Sequence, residues 1–317
     1  MRQAGRYHDH YQNLKKSHDF MELCKDPNLA AEVALGPVAD FDFDVSILFS
    51  DLLFPLEALG VGLEYSPGPK LDKKLDRSLL SQLRPVSEAL EFLKFQKAAV
   101  EATRKVLPDN KSLIGFVGGP WTLYCYAVEG SHAGSLVEAK RQPDLYASFA
   151  EVMTELLISN IKLQLDGGAE LVMIFDTAAG ELSAREFNKW CVPHLKRLAA
   201  QYPGKLGYYG KATHREHISD PCFSELFAGV GVDHRWNVID LLKEERFGFV
   251  QGNFDQCMLF LPEAGFKATL DDYLKDFDQL NSVQRSRWVC GLGHGVLPKT
   301  PQEHVRYFVQ RVRQKYS

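Results

Sequence analysis

Residues 143–175 read PDLYASFAEVMTELLISNIKLQLDGGAELVMIF, a long amphipathic stretch followed by a short apolar run. Apolar residues recur every three or four positions from Leu145 to Leu156, which predicts a helix. Pro143 suits the first turn of that helix and Gly167-Gly168 suits its end. The run Leu171–Phe175 is rich in β-branched and aliphatic residues, as strands covered on both faces are. A helix that leads into a buried strand is the repeating unit of a parallel α/β sheet.

Six further apolar runs of the same kind are spread along the chain. They are Val45–Phe49, Leu113–Val117, Leu206–Tyr209, Val230–Val232, Phe247–Val250 and Trp288–Leu292. Helical patterns separate them, so the sequence predicts a parallel sheet in a single domain over residues 1–317. An open doubly wound sheet satisfies this alternation, and so does a closed (β/α)8 TIM barrel.

Seven strands are one fewer than a closed barrel of this type contains. We expect the eighth immediately before Arg2, where this sequence begins. The first strand is therefore either contributed in another way or truncated in this sequence.

Composition limits the class of protein. The 317 residues are 45% hydrophobic and 25% charged, which is ordinary for a soluble globular protein. The net charge of −4 argues against a nucleic-acid partner, and the sequence has no apolar run long enough to span a membrane. The six cysteines are scattered without a CxxC pair, which is typical of buried thiols in a reducing cytoplasm.

Polar side chains follow most of the predicted strands. They include Asp51, Tyr126, Asp176, Thr177, Lys211, His214, Asp233, Gln251, Asn253 and His294. The carboxyl ends of parallel strands carry the active site in α/β folds, so we expect these residues to surround one site. Taken singly, each has a simpler explanation: an aspartate after a strand is often a helix cap, and a tyrosine is often core packing.

Three local patterns point to chemistry. Arg2 and Arg6 form a compact pair of planar guanidiniums, a geometry that binds carboxylate or phosphate, although an exposed arginine pair is usually solvated surface. Asp51 precedes the apolar residues Leu52–Phe54, a setting in which a carboxylate needs donors or a cation. His294 lies between two glycines, which permit close approach to a ligand.

The sequence offers little support for a metal or nucleotide site. His214 and His217 lie three residues apart, but no third ligand is spaced with them, so we predict no metal site. Neither Gly118-Gly119-Pro120 nor Gly291–Gly295 matches a phosphate-binding glycine loop.

Taken together, several segments resemble the uroporphyrinogen decarboxylase family. They are Met1–Tyr7 (MRQAGRY), Phe49–Leu53 (FSDLL), Gly115–Leu123 (GFVGGPWTL) with Tyr126 and Glu129-Gly130, Val250–Asp255 (VQGNFD) and Gly293–Gly295 (GHG). They stand in the family's order and cover essentially the whole chain. The resemblance implies a single-domain (β/α)8 TIM barrel that is commonly a homodimer. It also implies decarboxylation of the four acetate arms of uroporphyrinogen III to give coproporphyrinogen III, without metal or organic cofactor.

The same resemblance implies roles for individual residues. Asp51, Arg2 and Tyr126 would be catalytic. The substrate-binding residues would be Arg2, Gln3, Arg6, Lys15, Phe20, Asp51, Tyr126, Phe175, Thr177 and His294. The arginines would hold peripheral carboxylates, and Asp51 would accept hydrogen bonds from the central pyrrole N–H groups. The expected partners are a tetrapyrrole and a second copy of the chain in the cytoplasm.

Some positions depart from the family pattern. Lys15 and Gln12 stand where arginine is expected, and lysine keeps the charge but lacks the planar fork. Thr177 replaces a serine and keeps the hydroxyl. His8-Asp9-His10 replaces Leu-Pro-Glu, and Gly291 replaces an asparagine. These departures concern the support of the site more than its central residues.

Two alternatives remain open. A zinc-dependent corrinoid methyltransferase of the same superfamily needs a His-x-Cys pair and a distant cysteine, and the sequence contains no His-x-Cys. A non-catalytic tetrapyrrole-binding protein would keep Arg2, Arg6 and the aromatic walls but release no carbon dioxide. Zinc content separates the first alternative, and turnover separates the second.

Overall fold

The computed structural model describes residues 2–65 and 68–316. The strands among them are β1 (Val45–Ile47), β2 (Glu64–Tyr65), β3 (Pro69–Lys70), β4 (Ser112–Gly118), β5 (Leu171–Asp176), β6 (Leu206–Gly210), β7 (Gly229–Gly231), β8 (Phe249–Phe254) and β9 (Trp288–Leu292).

Helices connect and cover these strands. The α-helices are α1 (Asp9–Leu14), α2 (Phe20–Lys25), α3 (Pro27–Phe41), α4 (Phe54–Ala58), α5 (Arg77–Leu80), α6 (Val86–Val106), α7 (Pro120–Glu129), α8 (Val137–Lys140), α9 (Pro143–Asp166), α10 (Ala184–Trp190), α11 (Val192–Gln201), α12 (Cys222–Glu225), α13 (Val238–Lys243), α14 (Glu263–Lys275), α15 (Ser282–Ser286) and α16 (Gln302–Tyr316). Short 3₁₀ turns lie at Ala179–Glu181, Arg215–Ile218, Gln256–Phe260 and Asp276–Gln279.

Seven of the strands form one parallel sheet in the order β1-β4-β5-β6-β7-β8-β9. Strands β2 and β3 form a separate antiparallel hairpin. Each of the seven apolar runs identified in the sequence contributes a strand to the parallel sheet. The spatial order follows the chain order, as it does when successive β-α units wind in one direction around a barrel.

The sheet is curled. Tyr209 lies on β6, the middle strand, and its hydroxyl donates a hydrogen bond at 2.8 Å to the carbonyl oxygen of Gly293, just beyond β9. In a flat sheet these strands would stand about 14 Å apart, since neighbouring strands are about 4.8 Å apart. The curl matches that of most of an α/β barrel, but β1 and β9 are not paired with each other. The closed eight-stranded barrel is therefore not formed by residues 2–65 and 68–316.

The open edges of β1 and β9 flank an elongated cavity of about 860 Å³, which we call the slot. Much of its lining is apolar. Side chains of β5 and β9 contribute, as does the apolar stripe of α16, which consists of Val305, Phe308, Val309 and Val312. The slot thus lies where a further strand would complete the sheet.

Helix α9 shows how the sequence sets these elements. Pro143 occupies its first turn, Gly167 follows its last residue, and Gly168 has a φ of 106° that favours glycine. Phe149 and Leu156 are fully buried on the face that packs toward the sheet and the neighbouring helices. The prediction for this helix and for β5 is confirmed.

One strand differs from its prediction. The run Phe247–Val250 predicts a strand that ends before Gln251, but β8 spans Phe249–Phe254. Pairing with β9 continues through Asn253. The Asn253 side-chain amide is buried and donates to the carbonyl oxygens of Asp233 and Trp236, each at 2.8 Å. Gln251 and Asn253 therefore lie within the strand, because the partner strand and these carbonyls satisfy their polar groups.

Candidate active site

The N-terminal segment lies across the slot. The Gln3 side-chain amide donates to the carbonyl oxygen of Val45 at 2.6 Å and accepts from the N–H of Ile47 at 3.2 Å. This one side chain thus uses the positions on β1 that an adjacent strand would use. On the other side of the slot, the N–H of Val296 donates to the carbonyl oxygen of Arg2 at 3.4 Å. The segment therefore links the two ends of the sheet.

Both arginines of the predicted pair are exposed. Arg2 lines the slot and packs against Gly295, where an added Cβ would lie 2.8 Å from the Arg2 Cβ, so glycine is required for this close approach. The carbonyl oxygen of Arg6 accepts from the Gln12 side chain at 2.6 Å. Burial raises the pKa of Tyr11, and the charges of Arg6 and Arg2 both act in the opposite direction. Both charges therefore act on Tyr11, and Arg2 in addition lies at the slot.

Asp51 follows β1 and is held by a local turn. One carboxylate oxygen accepts from the N–H of Leu53 at 2.8 Å. Asp51 is not the N-cap of α4, because Leu53 occupies that position. Burial raises the pKa of the Asp51 carboxyl, while the Tyr65 hydroxyl, the Leu53 N–H and the Arg2 charge act in the opposite direction. The structure thus places a desolvated carboxyl beside a cation, as the apolar sequence around Asp51 predicts.

Tyr126 lies on α7 next to the same carboxyl. Its hydroxyl oxygen is 2.5 Å from Nδ1 of His132, and the two ring centroids are 5.1 Å apart. Burial and the Asp51 charge together raise the pKa of Tyr126 to about 12, while the Arg2 charge acts in the opposite direction. Tyr126 thus lies within electrostatic range of both Asp51 and Arg2. The three residues predicted as catalytic are therefore brought together.

His294 faces this group from the end of β9. The Tyr209 hydroxyl donates to the Gly293 carbonyl oxygen, and its oxygen lies 3.2 Å from Nδ1 of His294. Since the single hydroxyl proton is already used, Nδ1 carries a hydrogen and donates to Tyr209. Burial, together with the nearby charges of Lys211 and Arg2, lowers the pKa of His294 to about 4. His294 is thus a neutral imidazole whose Nε2 is an acceptor.

Aromatic side chains line two parts of the site. The Phe20 ring lies 4.4 Å from the ring of Tyr65 and 6.0 Å from that of Phe49, measured between centroids. Phe175 on β5 lies edge-on to Tyr209 at 6.0 Å. Phe20 therefore packs on the Asp51 side, and Phe175 packs on the His294 side.

Thr177 follows β5 in a loop that the GPWT segment anchors. The Thr122 hydroxyl donates to the Asp176 carboxylate at 2.5 Å and accepts from the N–H of Ala178 at 2.9 Å. The Trp121 indole donates to the Ala178 carbonyl oxygen at 3.1 Å. Burial raises the pKa of Asp176 to about 6, while its hydrogen bonds act in the opposite direction. The conspicuous GPWT residues thus hold the loop that carries Thr177.

Lys15 is the predicted site residue that stands apart. It caps the end of α1 and is exposed. Its side chain makes no ion pair within the part of the chain that the structure describes. The structure does not bring Lys15 into contact with Asp51, Tyr126 or His294.

Two residues of the site escape the prediction, and a third is predicted without its neighbours. Tyr65 packs against Phe20 with tilted rings beside Asp51, and no sequence signal marks a hairpin residue of this kind. His132 contacts Tyr126 from a loop after α7 that has no regular period. Lys211 follows β6, as its position after an apolar run indicates, but its neighbours His132 and His294 become apparent only in the fold.

The His214 and His217 pair has a local structural role. The N–H of His214 donates to Nδ1 of His217 at 3.1 Å, and Nε2 of His217 lies 3.2 Å from the Leu182 carbonyl oxygen. Within residues 2–65 and 68–316, no group of three or more His, Cys, Asp or Glu side chains is arranged to hold a metal ion. Among these same residues, none of the helices combines the length and hydropathy needed to cross a bilayer.

Comparisons with known proteins give one consistent family. The family model described as uroporphyrinogen decarboxylase (URO-D) matches residues 1–315. The chain is 34% identical to a uroporphyrinogen decarboxylase of Pelobacter propionicus, over 99% of this chain and 92% of that protein. It is also 34% identical to a uroporphyrinogen decarboxylase of Myxococcus xanthus, over 98% of this chain and 90% of that protein.

Solved structures are similar in fold at lower identity. A methyltransferase from Methanosarcina mazei superposes with a TM-score of 0.65 at 20% identity, over 93% of this chain and 88% of that chain. A putative vitamin-B12 independent methionine synthase from Listeria monocytogenes has a TM-score of 0.58 at 13% identity, over 98% of this chain and 93% of that chain. These likenesses show the fold alone. The family model and the near-full-length relatives show that the chain belongs to the uroporphyrinogen decarboxylase family.

Proposed function

We propose that this chain removes carbon dioxide from the four acetate arms of uroporphyrinogen III and so produces coproporphyrinogen III. Membership of the family supports this reaction. The observation that carries the proposal is the convergence of Asp51, Arg2 and Tyr126, with neutral His294 opposite them, at the carboxyl ends of the strands. A buried carboxyl faced by donors and bordered by a cation suits a ring rich in N–H groups and rimmed with carboxylates.

The chemistry needs no external electron sink. A proton adds to a pyrrole carbon, and the ring becomes cationic. The bond between the acetate methylene and its carboxylate then breaks, its electron pair enters the ring, and carbon dioxide leaves. A second proton adds to the methylene carbon to form a methyl group while the ring carbon loses the first. The net change exchanges carbon dioxide for one proton, so no organic cofactor has to supply electrons.

Asp51 stabilises the charge that develops in this sequence. In its ionised form the carboxylate accepts hydrogen bonds from the central N–H groups and lies close to the cationic ring. Preorganised groups of this kind act most strongly in a desolvated site. The Leu53 N–H fixes one carboxylate oxygen and so limits rotation of the group that would face the substrate. Tyr126 orients the macrocycle over this carboxylate.

The remaining predicted residues are assigned to binding. Arg2, Arg6 and Lys15 take carboxylates at increasing distance from the slot along the N-terminal region. Gln3, also predicted to bind substrate, holds the segment that carries Arg2 against β1. Phe20 and Phe175 form walls of the substrate pocket. Thr177 and His294 make polar contacts with the substrate.

The direct test is incubation with uroporphyrinogen III followed by chromatographic counting of carboxylates on the products. We expect successive loss of four carboxylates without added metal or cofactor. An unchanged octacarboxylate supports a non-catalytic binding protein instead. Stoichiometric zinc in the purified protein, together with methyl transfer, favours the methyltransferase alternative.

Three finer features belong to the same proposal. The finer fold is a closed TIM barrel, in which an eighth strand would pair along the unpaired edges of β1 and β9 across the apolar slot and displace the Gln3 side chain from β1. The protein acts as a homodimer in the cytoplasm, where its six free cysteines stay reduced. Light scattering tests the dimer, cell fractionation tests the location, and protection of β1 amides from hydrogen exchange tests strand addition.

A further inference from the structure

Lys211 is fixed at the mouth of the sheet through its backbone. Its N–H donates to the Asp176 carbonyl oxygen at 3.3 Å, and its carbonyl oxygen accepts from the N–H of Gly180 at 3.1 Å. The next residue, Ala212, has a φ of 56°, and its N–H donates to the buried Asp233 carboxylate at 2.7 Å. A left-handed alanine is unfavourable by about 1 kcal/mol or more. The surrounding contacts therefore hold this turn, and with it the direction in which Lys211 leaves the sheet.

The Lys211 side chain has no acidic partner. It is half-buried and makes no ion pair within the described part of the chain. The Lys211 charge acts on two imidazoles. Burial lowers the pKa of His132 and of His294, and the Lys211 charge acts in the same direction on both. Glu181 is the acidic neighbour of His132 and is not ion-paired with Lys211. A partly desolvated ammonium among imidazoles is stabilised when an anion binds beside it.

His132 joins this region to Tyr126. One ring nitrogen, Nδ1, is taken by the Tyr126 hydroxyl at 2.5 Å. When that hydroxyl donates to Nδ1, the proton of the neutral imidazole lies on Nε2. Nε2 is then a directed donor, and it has no hydrogen-bond partner among the residues described. A directed donor within electrostatic range of an ammonium that makes no ion pair among the described residues is suited to binding one carboxylate group.

The position of this pair differs from that of Arg2. Lys211 follows β6, which lies three strands from either edge of the sheet. Arg2 lies at the slot between those edges. The curl of the sheet brings both cations close to His294. A macrocycle with carboxylates around its whole rim can therefore meet a cation at both places.

We propose that Lys211 and His132 form a carboxylate-binding subsite that takes one carboxylate arm of the tetrapyrrole. The inference rests on the proposed function for the identity of that substrate. Lys211 supplies the charge, and Nε2 of His132 supplies the directed hydrogen bond. Through Nδ1, His132 also holds the Tyr126 hydroxyl, so binding of this arm is coupled to the placement of Tyr126 next to Asp51.

The test measures binding of uroporphyrin, the oxidised octacarboxylate, by fluorescence titration of the purified full chain. We expect Lys211→Met to raise the Kd about tenfold or more, as loss of a charged hydrogen bond does. Lys211→Arg should restore most of the affinity. Lys205→Met is the matched control, because Lys205 is an exposed lysine at the other end of β6. It should leave the Kd unchanged.

A double-mutant cycle tests whether the two side chains share one group. His132→Phe keeps an aromatic ring beside Tyr126 and removes both nitrogens, and we expect it to raise the Kd severalfold. Its effect should largely disappear in the Lys211→Met background, because residues that bind one ligand group are not additive. Circular dichroism of each variant monitors folding, and Lys211→Arg supplies a folded comparison if Lys211→Met is unstable.

The outcomes separate this proposal from the proposed function. If the wild type binds uroporphyrin tightly and neither Lys211→Met nor His132→Phe changes the Kd, the subsite alone is overturned. If the two variants weaken uroporphyrin binding as expected but the wild type does not turn over uroporphyrinogen III, the subsite is supported and the decarboxylase is overturned. Failure of the wild type to bind uroporphyrin overturns the subsite, whereas turnover of uroporphyrinogen III decides the decarboxylase separately.

Discussion

The two sides of the site hold their functional residues in different ways. On the β5 side, Thr177 lies in a loop that buried bonds from Thr122 and Trp121 anchor to the core. On the slot side, the Gln3 side chain and one long backbone bond attach the segment that carries Arg2. Hydrogen bonds shielded from water are costly to lose. Changes on the β5 side should therefore reduce stability, whereas changes on the slot side should reduce function at nearly constant stability.

The largest expected effect comes from Asp51. We expect Asp51→Asn to lower kcat about a hundredfold or more, because it removes the negative charge opposite the cationic ring. The denaturation midpoint should change little. Asp176→Asn is the matched control on the β5 side, since it removes a buried carboxyl that faces Thr122 instead of the mouth. Equal loss of turnover in both variants would contradict the assignment of Asp51.

Gly295 probes the slot side. We expect Gly295→Ala to lower kcat/KM roughly tenfold or more, because the new Cβ displaces Arg2 and small misplacements of a binding group are costly. Stability should be nearly unchanged, as the N-terminal segment can move away. Gly265→Ala is a suitable control, since a Cβ there meets only Leu261 at 3.9 Å. Wild-type kinetics in Gly295→Ala would show that Arg2 does not act from this position.

Thr122 probes the β5 side. Thr122→Val keeps the shape but removes the hydroxyl that bonds Asp176 and Ala178. We expect it to lower the free energy of unfolding by about 1–3 kcal/mol, the range for buried groups left without a partner. Chemical denaturation measures this change. Thr122→Ser keeps the hydroxyl and should lose much less stability, and a valine variant as stable as the wild type would refute the anchoring role.

A substitution of Gln3 tests whether its side chain takes the place of strand pairing along β1. Gln3→Met removes both bonds to β1, and we expect a stability loss of about 1 kcal/mol or less. The KM for uroporphyrinogen should rise severalfold, since Arg2 loses one of its two attachments. Gln314→Met, on an exposed position of α16, controls for the chemistry of the change. A KM that stays at the wild-type value would separate Gln3 from the placement of Arg2.

The smallest effect is a difference in pH dependence between the two sides. Burial raises the pKa of Asp176 from its ordinary 3.8 to about 6, so stability is lost as the pH rises through this window. Burial lowers the pKa of His294 from 6.5 to about 4, so stability is lost as the pH falls through nearly the same window. The two contributions oppose each other in the wild type.

Single variants should expose each contribution in denaturation curves recorded from pH 4 to 7. Asp176→Asn should lose stability more steeply than the wild type on acidification, because only the His294 contribution remains. His294→Gln should show the reverse slope change. Parallel curves for all three proteins would contradict both pKa shifts.

Much of the fold could be predicted because parallel strands that are buried on both faces have nearly continuous apolar sequences. Their count, order and most of their limits are confirmed by the sheet. The limit of β8 could not be predicted, since Gln251 and Asn253 are satisfied by a partner strand and by distant carbonyls. Whether the sheet closes is equally hidden, because closure depends on which edges meet and not on any local pattern.

The site shows the same division between local and tertiary information. Asp51 and His294 stand at strand ends, so their position along the chain already indicates the mouth. His132 and Tyr65 come from a loop and a hairpin without periodicity, and only packing brings them to Tyr126 and Asp51. Lys15 is also indicated by a family motif, and the structure places it exposed at the end of a short helix, so its contact with a substrate carboxylate stays a prediction.

The bond between Val296 and Arg2 has a consequence for synthesis. It joins residues from opposite ends of the chain, and such distant pairings are entropically the slowest to form. A ribosome-bound chain can complete α9 and β5 long before His294 has emerged. Substrate affinity should therefore arise abruptly, once β9 has emerged and meets the much earlier segment that carries Arg2.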